Sequence, residues 1–151
     1  MLDRGDIAPD FVLQDQDGRS MRLSDLLDAG PVVLFFYPAD FTPVCTREAC
    51  AFRDRHQVLA QRGTQIVGIS PQDVPTHRRF SDTFSLPFPL LCDTRKRVIR
   101  DYGVDGPLGF GVRRATYLIS PSGIIEKRAV SELFLSGHLA LVEEALAADW
   151  S

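Results

Sequence analysis

Two runs of β-forming apolar residues, "PVVLFFYP" at 31–38 and "TQIVGIS" at 64–70, bracket a stretch that opens on Thr-Pro and continues in a helical pattern over 43–62. Near-continuous apolar runs suit strands covered on both faces, so helices must lie on either side of them. The remaining segments fit around that unit. "DFVLQDQDGRSMRLSDL" reads as a hairpin turning at Asp17-Gly18. A helix is expected over "PQDVPTHRRFSDTF", a short strand over "FPLLCD" (88–93) and a short helix over "TRKRVIRDYGV". "ATYLIS" and "GIIEKRAV" flank "SPSG" (120–123) as a second hairpin, and "SGHLALVEEALAAD" closes the chain as an amphipathic helix. This order gives an α/β fold in one domain over 1–151: a mixed central β-sheet flanked by helices, with an N-terminal β-hairpin.

A chain of 151 residues builds one hydrophobic core without staples. Its net charge of −3 gives no reason to expect nucleic acid or an anionic membrane as partner. No apolar run approaches the ~20 residues of a membrane span. The opening "MLDRGDIAPDF" carries acids and no apolar stretch, unlike a signal peptide. Three cysteines, an odd number, do not suggest a secreted disulfide framework. A reducing, cytoplasmic setting is expected, where a thiol pair is catalytic, redox-sensing or metal-binding rather than structural.

Cys45 and Cys50 stand in the first turns of the helix, in "TPVCTREACAFRD" (42–54). Thr42 offers an N-cap oxygen, and Pro43 takes the first turn, where no N–H is missed. Cys45 therefore lands among unpaired N–H groups at the positive end of the helix dipole, which favours a thiolate over a thiol. Cys45, Ala49, Phe52 and Leu59 form the core-facing stripe, whereas Cys50 shares the wet side with Arg53, Asp54 and Gln57. Five helical steps separate the two Cα atoms by about 8.6 Å, and a disulfide needs about 4.4–6.8 Å. Three readings stand: an incidental surface thiol near a buried one, metal ligands together with His56, or a pair that meets only when the helix unwinds. The metal reading is the weakest, because a zinc site needs four ligands, the chain has no second cysteine pair, and His56 lies on Cys45's side of the helix, away from Cys50. Cys92, in an apolar strand, reads as a packed core thiol. His56, His77 and His138 have no evident partners and are assigned no chemistry.

The sequence resembles the peroxiredoxins, the alkyl hydroperoxide reductase/thiol-specific antioxidant superfamily. Their signature Pro-x-x-x-Thr/Ser-x-x-Cys reads here "PADFTPVC", from Pro38 to Cys45. "APDFVLQDQDG", "FFYPADFTPVCTREACAFRD", "LPFPLLCD" and "RRATYLISPSG" are similar to the family at four ordered places, and the four-residue gap to Cys50 is similar to the Q-type, bacterioferritin-comigratory-protein-like branch. The resemblance implies a thioredoxin-like fold and a thiol peroxidase that needs no metal, haem or flavin. It implies Cys45 as the peroxidatic cysteine, Thr42 as a hydroxyl that meets peroxide or thiolate, and Pro38 as a shield against water. It implies Arg114, two residues before Thr116, as the cation over the thiolate, and Cys50 as the resolving cysteine. Singly, Arg114 reads as a surface arginine and Thr42 as a helix cap; the constellation gives them roles. A hydroperoxide substrate and thioredoxin or a similar dithiol reductant are the implied partners, for a monomer or weak homodimer with Phe41 and Trp150 as candidate contacts. The glycine-rich "GPLGFGV" (106–112) departs from the pattern and suggests a taste for bulkier organic hydroperoxides. The rival reading is a peroxide-sensing binding protein on the same fold. A thioredoxin-like reductase is disfavoured, because the chain has no Cys-x-x-Cys.

Overall fold

A computed structural model describes residues 1–132 and 135–147. The N-terminal hairpin pairs β1 (Val12–Gln14) with β2 (Ser20–Arg22). Gly18 supplies the turn's positive φ of 77°. The hairpin runs straight into α1 (Leu23–Ala29), a helix that the sequence reading absorbed into the hairpin. Seven residues with Arg22 at the N-cap and no capping side chain give little signal. The central unit follows as expected: β3 (Val32–Phe36), α2 (Pro43–Gln61) and β4 (Gln65–Ser70). Next come α3 (Val74–Phe84), β5 (Leu90–Cys92) and α4 (Arg97–Asp101). A second hairpin of β6 (Ala115–Ile119) and β7 (Ile125–Val130) leads to α5 (Ser136–Ala147).

The strands form one mixed sheet in the order β2-β1-β5-β4-β3-β6-β7. β3, β4 and β5 are parallel, while β6 runs antiparallel to β3. All five residues of β3 are buried because each face of the strand has its own core. Val32, Leu34 and Phe36 pack with Leu23, Ile99, Tyr102 and Tyr117 on one side. Val33 and Phe35 pack with Phe52, Leu59, Phe80 and Leu141 on the other. Side chains of this size contribute about 1.5–3 kcal/mol each when fully buried. The glycine in β4 is sterically required. Gly68 lies opposite Phe35, and a Cβ there would meet the Phe35 ring at 2.7 Å.

Two features of this frame place the site. The loop 37–42 leaves the end of β3 and delivers Pro43 to the start of α2. On the neighbouring strand, Ala115 pairs with Phe36, so Arg114 sits one residue beyond the last paired position, beside that loop.

Candidate active site

Cys45 lies in the second core, 1% exposed, in the first turn of α2. Arg114 is buried as well, and its Nη2 donates to Cys45 Sγ at 3.2 Å. Its neighbour Arg113 is exposed, so of the two arginines before β6 only Arg114 turns inward. The second guanidinium nitrogen, Nη1, donates to Glu48 Oε1 at 3.1 Å. Glu48 is 1% exposed and follows Cys45 by three residues, so both side chains lie on one helix face. The Arg114 backbone N–H donates to the Glu132 carboxylate, and Nε donates to the Glu132 carbonyl at 3.3 Å. The guanidinium is thus held by Glu48 and the Glu132 carbonyl while its remaining nitrogen points at sulfur.

Burial pushes the Glu48 carboxyl up to about 7, even though the charge and hydrogen bond of Arg114 pull it down. Burial alone would lower Arg114, but Glu48 and Cys45 hold it above its ordinary value. Behind this pair stands His138 of α5, fully buried, with Nδ1 2.7 Å from Thr116 Oγ1 and Nε2 3.1 Å from the Ser131 carbonyl. Burial lowers the imidazole's affinity for a second proton.

Thr42 occupies the N-cap position in extended backbone, and Thr46 N–H donates to its carbonyl at 2.9 Å. Its side chain does not cap the helix, however; the hydroxyl donates to the Ala39 carbonyl at 2.9 Å. That bond folds the 38–42 loop onto itself and leaves the hydroxyl's lone pairs unspent. Pro38 is half-buried in the bend that starts the loop. Phe41 adopts φ of 64°, a left-handed conformation costly for a bulky residue, with its ring against Phe80 and Phe84. Trp150, the other candidate contact residue, lies outside the described residues.

A second buried cluster anchors this loop. Asp40 accepts from the Tyr37 hydroxyl at 2.6 Å, and its other oxygen lies 2.6 Å from His77 Nδ1. His77 Nε2 faces the Leu91 carbonyl at 3.0 Å. Burial, then the charge of Asp40, push the Tyr37 hydroxyl well above its ordinary range. His77 and His138 therefore do have partners, contrary to the sequence reading. Glu48, Asp40 and Tyr37 also escaped it. The signal available for Glu48 was its place three residues after Cys45 on the core-facing stripe.

Cys50 is half-buried on the other side of α2, and the helix is continuous through both cysteines. All three thiols are free. Cys92 is half-buried rather than packed in the core, because β5 meets the short β1 only at Gln14. Burial, followed by the charges of Asp40, Asp73 and Asp15, pushes its thiol up to about 12, which makes it a poor nucleophile. Among the described residues, no three His, Cys, Asp or Glu side chains gather as metal ligands, and no helix is long and apolar enough to cross a membrane.

Residues 4–128 match the AhpC/TSA family. The chloroplastic peroxiredoxin Q of Oryza sativa subsp. japonica is 42% identical over 127 residues, which cover 83% of this chain and 58% of the rice protein. The chain thus spans less than two thirds of the length of that curated relative. Among solved structures, peroxidoxin BcpB of Mycobacterium tuberculosis is 40% identical with a TM-score of 0.88, covering 97% of this chain and 96% of that one. A structure of the Xanthomonas campestris peroxiredoxin Q is 28% identical with a TM-score of 0.84, covering 93% and 92% of the two chains. The likeness includes the thioredoxin-like arrangement of sheet and helices.

Proposed function

Because the chain belongs to the AhpC/TSA family, we propose that it is a thiol-dependent peroxidase that reduces hydrogen peroxide and organic hydroperoxides at Cys45. The observation that carries this reading is the guanidinium nitrogen of Arg114 held 3.2 Å from a buried sulfur. A buried cation in contact with sulfur favours the thiolate, which is the nucleophilic form.

The thiolate attacks the terminal oxygen of RO–OH. An S–O bond forms as the O–O bond breaks, leaving Cys45 as a sulfenic acid and RO⁻ as the departing group, which takes a proton to become ROH. Negative charge moves from sulfur to the departing oxygen during this step. The rigid fork of Arg114, already paired to Glu48, stays in place to meet both. Thr42 has its proton committed to Ala39, so its oxygen accepts from the peroxide O–H and orients it. Pro38 limits water at the sulfur.

Cys50 then attacks the sulfenic sulfur, water leaves, and a Cys45–Cys50 disulfide forms. With Cα atoms about 8.6 Å apart in an intact helix, this requires the first turns of α2 to unwind. Unwinding also takes Cys45 away from Arg114, so the peroxide pocket and the disulfide exclude each other. A dithiol donor of the thioredoxin type restores the two thiols.

Stopped-flow mixing of the reduced protein with hydrogen peroxide tests the reading. Oxidation of Cys45 is expected to be many orders of magnitude faster than that of a small-molecule thiol, and absent in Cys45→Ser. A rate no greater than that of a free thiol would turn the reading towards a peroxide-sensing protein on the same fold.

A further inference from the structure

The buried charges behind Cys45 do not end at Glu48. Among the described residues Glu48 Oε2 has no hydrogen-bond partner, and it lies 3.7 Å from His138 Nδ1. The partners of His138 fix its neutral tautomer. Nε2 faces the Ser131 carbonyl, which can only accept, so Nε2 carries the proton and Nδ1 offers a lone pair. The Thr116 hydroxyl, 2.7 Å away, takes that lone pair. A proton on Glu48 Oε2 would compete for the same lone pair, with the Thr116 hydroxyl rotating aside.

Charge explains why such a proton belongs there. With Cys45 as a thiol, Arg114 and Glu48 cancel one another. Ionising Cys45 leaves one uncompensated negative charge in a site where all four side chains are at least nine-tenths buried, which is costly. We infer that Glu48 and His138 form a proton-holding pair behind the catalytic arginine, occupied when Cys45 is a thiolate and emptied when Cys45 becomes a neutral sulfenic acid. The proton the pair gives up to solvent balances the one the departing alkoxide takes, so peroxide reduction changes the net proton count of the solution by nothing.

The groups that face Glu48 agree with this assignment. Arg114 approaches from the start of β6, Glu132 from the segment before α5, His138 from α5, and Cys45 through the shared guanidinium. Burial raises Glu48 to about 7, with Glu132 adding to the rise, and burial lowers His138. The proton therefore belongs on the carboxyl, and Nδ1 becomes its acceptor once Oε2 closes the 3.7 Å between them. His138 touches no reacting atom; it is a positioning residue that acts through Glu48.

The inference rests on Cys45 being the reactive thiol, and its test does not depend on peroxide. Infrared difference spectra of the reduced full chain, before and after capping Cys45 with iodoacetamide, are expected to show a protonated-carboxyl band that vanishes on capping. The band should be missing in Glu48→Gln and shifted in His138→Gln. In parallel, labelling of Cys45 by iodoacetamide is followed by peptide mass spectrometry from about pH 5 to about pH 9. The wild type should rise over a wider range than one ionisation allows. His138→Gln should narrow the profile to a single ionisation and change the rate near neutrality by about three- to tenfold. No protonated-carboxyl band in wild-type protein while Cys45 labels as a thiolate would overturn the inference, and so would a profile that folded His138→Gln leaves unmoved. Should that variant not fold, the wild-type infrared result decides alone. An absence of peroxide oxidation with both results intact would instead count against the peroxidase reading.

Discussion

Asp40 of the loop 37–42 and His77 of α3 meet at 2.6 Å with side chains wholly withdrawn from solvent. Both ring nitrogens of His77 face oxygens, Asp40 Oδ2 and the Leu91 carbonyl, so the two side chains form a buried, mutually satisfied pair. Removing one member of such a pair strands the other. His77→Leu is expected to destabilise the reduced protein by about 3–5 kcal/mol in urea unfolding. A loss below about 1 kcal/mol would mean that other contacts hold the loop.

Arg114→Lys keeps the charge but cannot reach Cys45 and Glu48 together as the planar fork does. Its rate of oxidation by peroxide should fall by about 100-fold or more, the scale set by losing one donor to a developing oxyanion. Stopped-flow fluorescence reads this directly, and a rate within threefold or so of wild type would remove the fork from the mechanism.

Glu48 makes stability depend on pH with a definite sign. Its carboxyl is raised from 4.5 to about 7 by burial, so between those values the folded state binds a proton that the unfolded chain does not. The associated stability is fully present below about pH 4.5 and is lost as pH rises through about 7, a change on the order of 3 kcal/mol. Urea midpoints taken across that window should fall with pH, and Glu48→Gln should flatten this part of the slope whatever it does to stability at any single pH.

Oxidation should unmake part of a helix. After one equivalent of peroxide, peptide mass spectrometry is expected to find Cys45 joined to Cys50, and hydrogen exchange should quicken in the first turns of α2. Cys50→Ser should keep the first oxidation and stop at the sulfenic acid. A disulfide between these cysteines with the exchange of α2 unchanged would contradict the unwinding step.

Leu108 holds φ at 55° with its side chain 96% exposed, so it bears backbone strain without packing in return. Leu108→Asn is expected to raise stability by about 1 kcal/mol, since asparagine tolerates this region better. With Phe110 it forms an apolar surface on the loop that leads to Arg114, held by Lys96 Nζ on the Gly109 and Gly111 carbonyls. If that surface meets an alkyl chain, the variant will lose rate against cumene hydroperoxide and keep it against hydrogen peroxide. Equal effects on both would leave the loop without a part in substrate choice.

Local patterns made the frame legible and long-range partners hid the rest of the site. The apolar run at β3, the Thr42-Pro43 start of α2 and the Asp17-Gly18 turn are each written within a few residues, and each element forms where expected. Glu48 and His77 are different. Both are charged or polar side chains on helices that also carry wet faces; Glu48's place three residues after Cys45 is the one local mark, and nothing nearby in sequence marks His77 as buried. Their partners lie 66 residues away at Arg114 and 37 residues away at Asp40. Thr42 shows the converse: its backbone does what a cap residue does, while its hydroxyl answers to the loop. Cys92 misled because an apolar strand suggests a core, and β5 borders a hairpin too short to cover it.

The pairing of Phe36 with Ala115 sets the moment at which Cys45 meets Arg114. Cys45 and its arginine are 69 residues apart, and only closure of β6 onto β3 brings them together. During synthesis, α2 leaves the ribosome well before β6 exists, so the nascent thiol has no cation to sharpen it. The guanidinium reaches the sulfur only late in maturation, so an unfinished chain holds Cys45 without the arginine that the proposed chemistry needs.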